Sequence, residues 1–459
     1  MPVHRKHAGA PPRIAHMTSP VRAVVGVSSL AAAIAIAATT ASSQTPSTQT
    51  AASQAAATPP ATRPTSVPAA WPGWGGPAGN FQIAQPGLRW TGAQPRTRWR
   101  RDLGDGYSMV VGDGQVVYAM TRKDDRAIAV SALDAATGAP RWTRDIEEPT
   151  RSGMFLAYGT GPNSTPLLAG GRLYLVTHHG RVCALEAASG RTLWTRELWQ
   201  ELNGTFRDVG YSASPLLVDG RIVLPVGGKG QGLVAFDAGT GAIAWKAGDY
   251  GNAMASPILI EVAGERQIAA FMVEGVAGFD AATGVERWFH PHKTSYDVNA
   301  ATPAWHAPSQ TLVISSAYDH GARGIRLTRQ GSRTTATEAW FNRRLRVHHG
   351  TMLVLGNHVY ASSGDFGPAP MTAIDVTTGQ LAWQSRHFPK VNMVHLGDRT
   401  LVLDEDGRLA LVTLAPGGLT VHQEASVLTK LAWTAPTVIG QRLYLRDRKT
   451  LVALDLDRS

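Results

Sequence analysis

The alternation of apolar and polar residues predicts short β-strands that recur in a fixed order along most of the chain. A run opened by small residues and Pro, such as NSTPLL (163–168), is followed by a second run, RLYLVT (172–177), and by a third that ends in an acidic turn. Period-2 alternation bounded by turn residues is typical of strands. The pattern therefore predicts repeating units of antiparallel strands.

The stretch DAATGAPRW (134–142) marks the end of a unit. It recurs as EAASGRTLW (186–194), DAGTGAIAW (237–245), DAATGVERW (280–288) and DVTTGQLAW (375–383). Trp residues at the corresponding place occupy positions 99, 142, 194, 245, 288, 340 and 383. Repeats at this spacing indicate stacked supersecondary units.

Eight strand starts share small residues ahead of an apolar run, so the chain contains eight units. These starts lie at residues 106, 163, 212, 254, 299, 349, 392 and 433. A four-stranded sheet with two apolar faces is stable only when both faces are covered, and radial stacking does this, whereas a solenoid needs polar end units. We expect an all-β, eight-bladed β-propeller of four-stranded antiparallel blades.

The two ends of the repeat region complement each other. The last unit, LVALDLDRS (451–459), stops three strands in, and TRWRRD (97–102) is an outer strand without a unit of its own. We therefore expect the N-terminal strand to complete the last blade and to close the ring.

The repeated residues are predicted to be structural and not catalytic. The Asp accepts backbone N–H groups in its turn, the Gly supplies a positive φ, and the Trp packs against the neighbouring blade. The set comprises Asp134, Gly138, Trp142, Gly190, Trp194, Asp237, Gly241, Trp245, Asp280, Gly284, Trp288, Trp340, Asp375, Gly379 and Trp383.

The first 42 residues indicate export. They carry four basic residues and no acid, then the apolar run 24–38 and small residues, as in a secretory signal peptide cut near Ala41. A membrane anchor is the alternative, but this run falls short of the roughly 20 apolar residues that a spanning helix needs. Initiation at Met1 or at Met17 stays open. We expect a periplasmic or secreted protein.

Residues 43–70 are rich in Ser, Thr, Ala and Pro and hold one charge, so they are predicted to form a disordered linker. The predicted domains are a signal peptide (1–42), this linker (43–70) and the propeller (71–459). The net charge of +10 has no basic block, so no nucleic-acid partner is expected. Cys183 is the only cysteine, which excludes an intramolecular disulfide and indicates a small core residue. A monomer is expected.

The motif ALDAATGxxxW, with its upstream (S/T)P and LY strands, resembles the pyrroloquinoline-quinone (PQQ) repeat of quinoprotein-type eight-bladed propellers over residues 99–459. WPGWGGPAGN (71–80) is similar to the start of exported PQQ-like repeat proteins. The resemblance implies one of two branches. One comprises quinoprotein alcohol dehydrogenases with PQQ and calcium in the channel, and the other comprises non-catalytic propellers such as the outer-membrane assembly lipoprotein BamB.

The sequence departs from both branches. It lacks the adjacent cysteines of many dehydrogenases and a CxxCH haem attachment, and it lacks the lipid-anchor cysteine after the signal that BamB carries. We therefore predict an exported scaffold that binds an envelope protein or a small polar ligand. No catalytic residue, cofactor or metal is predicted, and PQQ with calcium belongs to the alternative, a quinoprotein dehydrogenase.

Residues that precede the inner strands are expected to surround one mouth of the channel and to bind a ligand or partner. They are Tyr107, Asn163, Tyr211, Asn252, Asn299, His348, His349, Asn392 and Trp433. The alternative is that such residues only begin strands and cap turns. The His pairs 178/179 and 348/349 are expected on strands, where neighbours point to opposite faces and cannot bind one metal ion together.

Two long connections, 145–162 and 195–211, carry aromatic residues that we expect to be exposed and to anchor a protein partner. These residues are Phe155, Tyr158, Trp199 and Phe206. Alternatively, the two connections fold down as a lid.

Overall fold

The computed structural model describes residues 70–365 and 369–458, which contain eight four-stranded antiparallel sheets arranged as blades I to VIII. The predicted signal peptide lies outside the described residues, as does the predicted linker up to residue 69. Within the described residues no helix is long and apolar enough to span a membrane. The prediction of an all-β, eight-bladed propeller is confirmed.

Each blade runs from an innermost to an outermost strand. From inside outwards the strands are: blade I, Val111–Gly112, Val116–Arg122, Ala127–Asp134, Pro140–Glu147; II, Leu167–Ala169, Arg172–Val176, Arg181–Glu186, Thr192–Glu197; III, Leu216–Val218, Arg221–Pro225, Leu233–Asp237, Ile243–Ala247; IV, Ile258–Val262, Glu265–Phe271, Gly275–Asp280, Glu286–Pro291; V, Ala304–His306, Thr311–Ser316, Gly321–Gln330, Arg333–Asn342; VI, Leu353–Leu355, His358–Ser362, Met371–Asp375, Leu381–Ser385; VII, Asn392–His395, Thr400–Leu403, Arg408–Ala415, Gly418–Ser426; VIII, Thr437–Ile439, Arg442–Arg446, Thr450–Asp455, Arg96–Asp102. A short sheet pairs Leu88–Arg89 with Asp457–Arg458, and a 3-10 helix covers Ala307–Ser309.

The strand directions define two faces. The acidic turns between third and outer strands lie on what we call the lower face, and the segments that lead into each inner strand lie on the upper face. The loops between consecutive blades therefore gather at the upper mouth of the channel.

The ring closes as predicted. Arg96–Asp102 pairs antiparallel with Thr450–Asp455, with Trp99 opposite Ala453. On the side facing blade I, the Thr437 hydroxyl donates a 2.8 Å hydrogen bond to the carbonyl of Val110. Blade VIII is thus bound both to its own N-terminal strand and to the first blade.

In five blades the repeat Trp bonds to the next blade, whereas Nε1 of Trp245 has no hydrogen-bond partner among the described residues and that of Trp288 donates to Gln267 of its own blade. The Nε1–H of Trp194 donates to the carbonyl of Ala238 at 3.1 Å, and the ring covers Gly241, whose φ is 72°. The same indole-to-carbonyl bond is made by Trp99, Trp142, Trp340 and Trp383. Trp142, Trp245 and Trp383 are only partly buried, so these three bury less surface than the sequence led us to expect. These contacts place the indoles between blades, and the absence of a catalytic role for the repeat residues stays a prediction.

Blade VII replaces the Trp by Gln423. Gln423 pairs with Leu411 immediately before a bulge between the third and outer strands of blade VII. Trp383 holds the equivalent position in blade VI, where it pairs with Ala373 immediately before the bulge. The amide of Gln423 donates to the carbonyl of Trp90 at 2.5 Å, and its oxygen accepts from the Trp90 N–H at 3.4 Å. The buried Trp90, which comes from the N-terminal segment, thus takes part in the junction of the last two blades.

Residues 71–85, which we call the plug, cross the lower end of the channel. Trp71 exchanges two backbone hydrogen bonds with Gly112 of blade I, and Leu168 of blade II donates to the carbonyl of Pro72. Farther along, the Gln82 side chain donates to the carbonyl of Val354 in blade VI. Because the plug bonds to inner strands on opposite sides of the ring, it occupies this end of the channel. The repeat pattern did not predict the plug.

Candidate functional site

The upper mouth of the channel brings together aromatic and histidine side chains from distant parts of the chain. We call this group the mouth cluster. It comprises Tyr107, Tyr158, Tyr318, His348, His349 and Trp433. The rings of Tyr107 and Trp433 stack with centroids 5.6 Å apart, and that of His349 lies 4.7 Å from Trp433. The cluster therefore joins loops of blades I, V, VI and VIII.

Polar contacts hold these rings in place. The indole N–H of Trp433 donates to Glu405 at 3.1 Å, the Tyr318 hydroxyl lies 3.0 Å from Nε2 of His348, and the Tyr107 hydroxyl donates to the carbonyl of Tyr158. The ammonium of Lys390 lies 5.2 Å from the centre of the Trp433 ring, close enough for a cation–π interaction. The cluster is preorganised by these contacts.

The histidines of the mouth cluster are neutral at neutral pH. Burial, with a further contribution from Lys390, lowers the pKa of His348 to about 4. Burial and the neighbouring His348 lower the pKa of His349 well below its ordinary value. Burial also raises the pKa of Tyr107 to about 12. The surface offered at this mouth is therefore aromatic and hydrogen-bonding, with little charge of its own.

The predicted mouth residues divide into two groups. Tyr107, His348, His349 and Trp433 belong to the mouth cluster. Tyr211, Asn252, Asn299 and Asn392 are instead fully buried or nearly so, and Asn163 is half-buried. The structure therefore does not bring these five residues into the mouth cluster, and their part in a binding ring stays a prediction.

The buried members of that ring satisfy backbone groups of the chain. The amide of Asn299 donates to Met272 and His292 carbonyls, and that of Asn392 donates to the carbonyl of Trp433. The Tyr211 hydroxyl donates to the carbonyl of Pro225. The alternative that such residues begin strands and cap turns explains these positions.

The two histidine pairs lie in turns and not on strands, so the premise of the strand argument was wrong. The rings of His178 and His179 are 5.8 Å apart, and those of His348 and His349 are 5.0 Å apart. Bends in the backbone place each pair side by side.

The long upper loops form a second feature, which we call the aromatic surface. Its members are exposed apolar side chains that flank the mouth cluster: Phe155 (51% exposed), Leu156 (39%), Tyr158 (44%), Phe206 (38%) and Tyr296 (67%). The N–H of Phe155 donates to the carbonyl of Asp208, and the guanidinium of Arg207 donates to the carbonyl of Tyr296. These bonds connect the loops into one surface.

Trp199 does not belong to the aromatic surface. It is only 8% exposed, because its ring packs edge-on against Phe206 at 4.9 Å and lies over Gly180. The expectation that all four loop aromatics are exposed is therefore wrong for Trp199. The alternative that the two long connections fold down as a lid stays a prediction; the Tyr158 ring lies 5.5 Å from that of Trp433.

A buried ion pair fixes the loop that carries Phe155 and Tyr158. The guanidinium of Arg122 lies 3.2 Å from the Glu148 carboxylate and also donates to the carbonyls of Glu148 and Thr160. Burial raises the pKa of Glu148, while Thr177, Arg122 and the His179 N–H oppose that shift. Both ends of the loop are thus attached to the second strand of blade I.

Calcium-assisted quinone chemistry needs several hard oxygen ligands around one ion. Among residues 70–365 and 369–458, no three His, Cys, Asp or Glu side chains form a group that could hold a metal ion. Of the acids near the mouth, Glu405 accepts a hydrogen bond from Trp433 and Asp105 binds Arg448, and Asp365 alone does not supply the several oxygens that calcium needs. The donor set does not fit this chemistry, and we assign no reaction step. The sole cysteine, Cys183, lies buried on a strand, and burial raises the pKa of its thiol to about 12.

Comparison with known proteins gives one family. The model of the PQQ-like repeat family described as "Outer membrane protein assembly factor BamB" matches residues 126–385.

Relatives come from two branches. Outer membrane protein assembly factor BamB of Escherichia coli (strain K12) is 24% identical over 62% of this chain and 71% of its own length. Quinohemoprotein alcohol dehydrogenase ADH IIB of Pseudomonas putida is 29% identical over 26% of this chain and 17% of its own length. The chain thus matches about a fifth of the length of the quinone-dependent relatives.

Solved structures show the same fold. BamB from Moraxella catarrhalis superposes with a TM-score of 0.57 and 18% identity, covering 79% of this chain and all of that one. Quinohemoprotein alcohol dehydrogenase from Comamonas testosteroni gives 0.56 and 14%, covering 84% and 80%. At these identities the likeness extends to the fold alone.

Proposed function

The chain belongs to the PQQ-like repeat family described as outer membrane protein assembly factor BamB, and we propose that it is a non-catalytic scaffold of the cell envelope. In this proposal a protein partner that presents an apolar segment docks on the aromatic surface at the upper face. The observation that carries the proposal is the gathering of five exposed apolar side chains around one mouth of the channel.

Exposed apolar patches on one face of a protein mark interaction sites, and aromatic and arginine side chains dominate binding energy at interfaces. Here Arg151 lies 4.7 Å above the Phe206 ring, and Arg207 links Phe206 to Tyr296 along the chain and by a hydrogen bond. Arg122 holds the loop of Phe155 in place, so little conformational entropy is lost when a partner binds. The surface has the composition and the rigidity of a docking site.

The plug supports the same proposal. It occupies the lower end of the channel with the chain's own residues, including the fully buried Trp71. A plugged channel is poorly suited to passing a ligand through the ring, which favours recognition at the upper face. The envelope location rests on the predicted signal peptide and on the name of the family.

Photo-crosslinking from position 206 in envelopes of producing cells tests the proposal. We expect a protein adduct that is lost when Phe155→Ser is combined with Tyr296→Ser. Phe289→Ser is the matched control, because Phe289 is 36% exposed but lies on the outer strand of blade IV. Retention of the adduct in this control is expected.

Two results would contradict the proposal. One is an adduct that survives in the double variant or disappears equally in the control. The other is dye-linked alcohol oxidation by the purified protein after addition of PQQ and calcium, since that activity would assign the chain to the dehydrogenase branch.

A further inference from the structure

A cleft of about 570 Å³ opens on the upper face between blades V and VI. Four arginines dominate its wall: Arg343, Arg344 and Arg346 follow the outer strand of blade V, and Arg386 follows that of blade VI. The rest of the wall consists of Ser363, Gly364, Asp365, Pro370 and Gln384. We call this feature the arginine cleft.

Hydrogen bonds hold the backbone beneath the arginines. The N–H of Arg344 donates to the Asn342 side chain at 2.7 Å, and that of Arg346 donates to the Ser363 hydroxyl at 2.9 Å. The N–H of Gly364 donates back to the carbonyl of Arg346 at 2.9 Å. The guanidinium groups of Arg343, Arg344 and Arg346 therefore project from a loop whose backbone is attached to the next blade.

The positive charges of the arginine cleft are largely unmatched. Arg346 pairs with Asp319, whose side chain is 85% exposed. In the described parts of the chain, no carboxylate lies within 4.0 Å of the guanidinium nitrogens of Arg343, Arg344 or Arg386. Asp365 is the one acid of the wall, and its enclosed Oδ1 has no hydrogen-bond partner.

Some arginines of the propeller are paired with two carboxylates. Arg287, for example, contacts both Asp280 and Glu265 within 3.0 Å. Like charges held together repel one another, and the repulsion is relieved when an anion binds between them. The imbalance within this concave wall therefore points to a ligand with more than one negative charge.

We propose that the arginine cleft binds a phosphorylated anion, either a free phosphorylated small molecule or the phosphate headgroup of a lipid. The planar guanidinium fork matches phosphate oxygens in a bidentate manner. The volume lies in the range of small-molecule sites and exceeds what a single phosphate fills. The site is separate from the aromatic surface, so it adds a ligand to the proposed scaffold and does not depend on the protein partner.

Calorimetry with pyrophosphate on the purified protein tests the proposal. We expect saturable binding that weakens at least tenfold in Arg344→Ala and in Arg386→Ala, because each loses a charge-assisted pair of hydrogen bonds. Arg333→Ala is the matched control, since Arg333 is exposed and lies at the opposite end of blade V. It removes the same charge and should change affinity less than twofold. Arg344→Lys keeps the charge but not the fork, and we expect it to recover only part of the affinity.

A second arm distinguishes the two sources of phosphate. Flotation with vesicles of phosphatidylglycerol in phosphatidylcholine, compared with phosphatidylcholine alone, reports a lipid headgroup if Arg344→Ala abolishes binding and Arg333→Ala does not. Pyrophosphate binding without flotation assigns a soluble ligand. The proposal fails if neither probe binds, or if Arg333→Ala weakens binding as much as Arg344→Ala.

Discussion

Nε1 of Trp340 donates a 2.7 Å hydrogen bond to the carbonyl of Val376, and the same indole ring covers Gly379 in the next blade. A Cβ added to Gly379 would lie 2.5 Å from this ring. The glycine is thus required for two reasons, its φ of 70° and the close approach of the Trp. Trp99, Trp142 and Trp194 make the same two contacts with the blades that follow them.

Gly379→Ala is expected to destabilise the protein by more than its backbone conformation explains. Gly331→Ala is the control, because Gly331 has a φ of 60° and its added Cβ would meet nothing within 4 Å. The control should cost roughly 1–2 kcal/mol for the left-handed backbone. Gly379→Ala should cost about 1–3 kcal/mol more, since the ring must move. Urea unfolding of the two variants measures the difference. Equal losses in the free energy of unfolding would show that the contact with Trp340 does not make the substitution more destabilising.

A substitution in the plug is expected to loosen only the strands that bond to it. Trp71 is fully buried, and Trp→Ala changes in protein interiors cost about 3–5 kcal/mol. In Trp71→Ala we expect faster hydrogen exchange at the amides of Gly112 and Leu168, which donate to carbonyls of the plug. The amide of Ala187, which donates to Gly171 on the same face, is the internal control. Uniform acceleration at all three amides would mean that the whole propeller is loosened and that the plug has no separate stability.

The sequence predicted the eight-bladed ring but not the plug in its channel, because the plug is held by contacts between residues that are far apart in the chain. Turns such as 134–142 are defined by residues within one unit, so their pattern is visible in the order of the chain. The plug has no repeat, and Gln82 bonds to Val354, 272 residues away. No local pattern encodes such a contact.

The same limit applies to the upper mouth. Strand order placed Trp433 and Asn392 correctly at the upper end of their blades, but it could not tell which side chain is exposed. Asn392 is buried because its amide donates to the carbonyl of Trp433 in the adjacent blade. Trp199 is buried because its loop folds back and brings Phe206 onto it. Both outcomes depend on neighbouring loops, which the repeat does not specify.

Arg122→Met is expected to free the loop that carries Phe155, Leu156 and Tyr158 of the aromatic surface. Breaking a buried ion pair costs about 3–5 kcal/mol, since Glu148 would be left buried without its partner. Arg126→Met is the control, because the Arg126–Glu147 pair is exposed and spans 3.9 Å, so its loss should cost less than about 1 kcal/mol. Chemical unfolding at pH 7 measures both losses.

The cost of Arg122→Met should depend on pH in a defined direction. The pKa of Glu148 is raised in the folded protein by burial, so its contribution to stability is present below the unfolded pKa and is lost as pH rises through the folded one. Without Arg122 the pKa of Glu148 rises further, and protonation relieves the unpaired charge. The deficit relative to wild type should therefore be smaller at pH 5 than at pH 7. A deficit that is the same at both would place the cost in the carbonyl contacts to Glu148 and Thr160 instead.

His178 gives the opposite dependence on pH. Burial, followed by the charges on His179 and Arg122, lowers the pKa of His178 to about 3. The unfolded chain takes up this proton near pH 6.5, so the stability due to the neutral ring is complete above that value and is lost as pH falls towards 3.

At pH 5 this loss reaches about 2 kcal/mol for the single group, from 1.5 pH units at about 1.36 kcal/mol each. We expect the ring resonances of His178, assigned by their absence in His178→Asn, to stay unchanged between pH 7.5 and 5 while those of free histidine in the same tube shift. His178→Asn should lose correspondingly less stability than wild type over this range. A His178 resonance that titrates near pH 6 would contradict the buried placement. The ring lies between Gly161 and Gly210, and such a titration would mean that the loops carrying these two glycines open in solution.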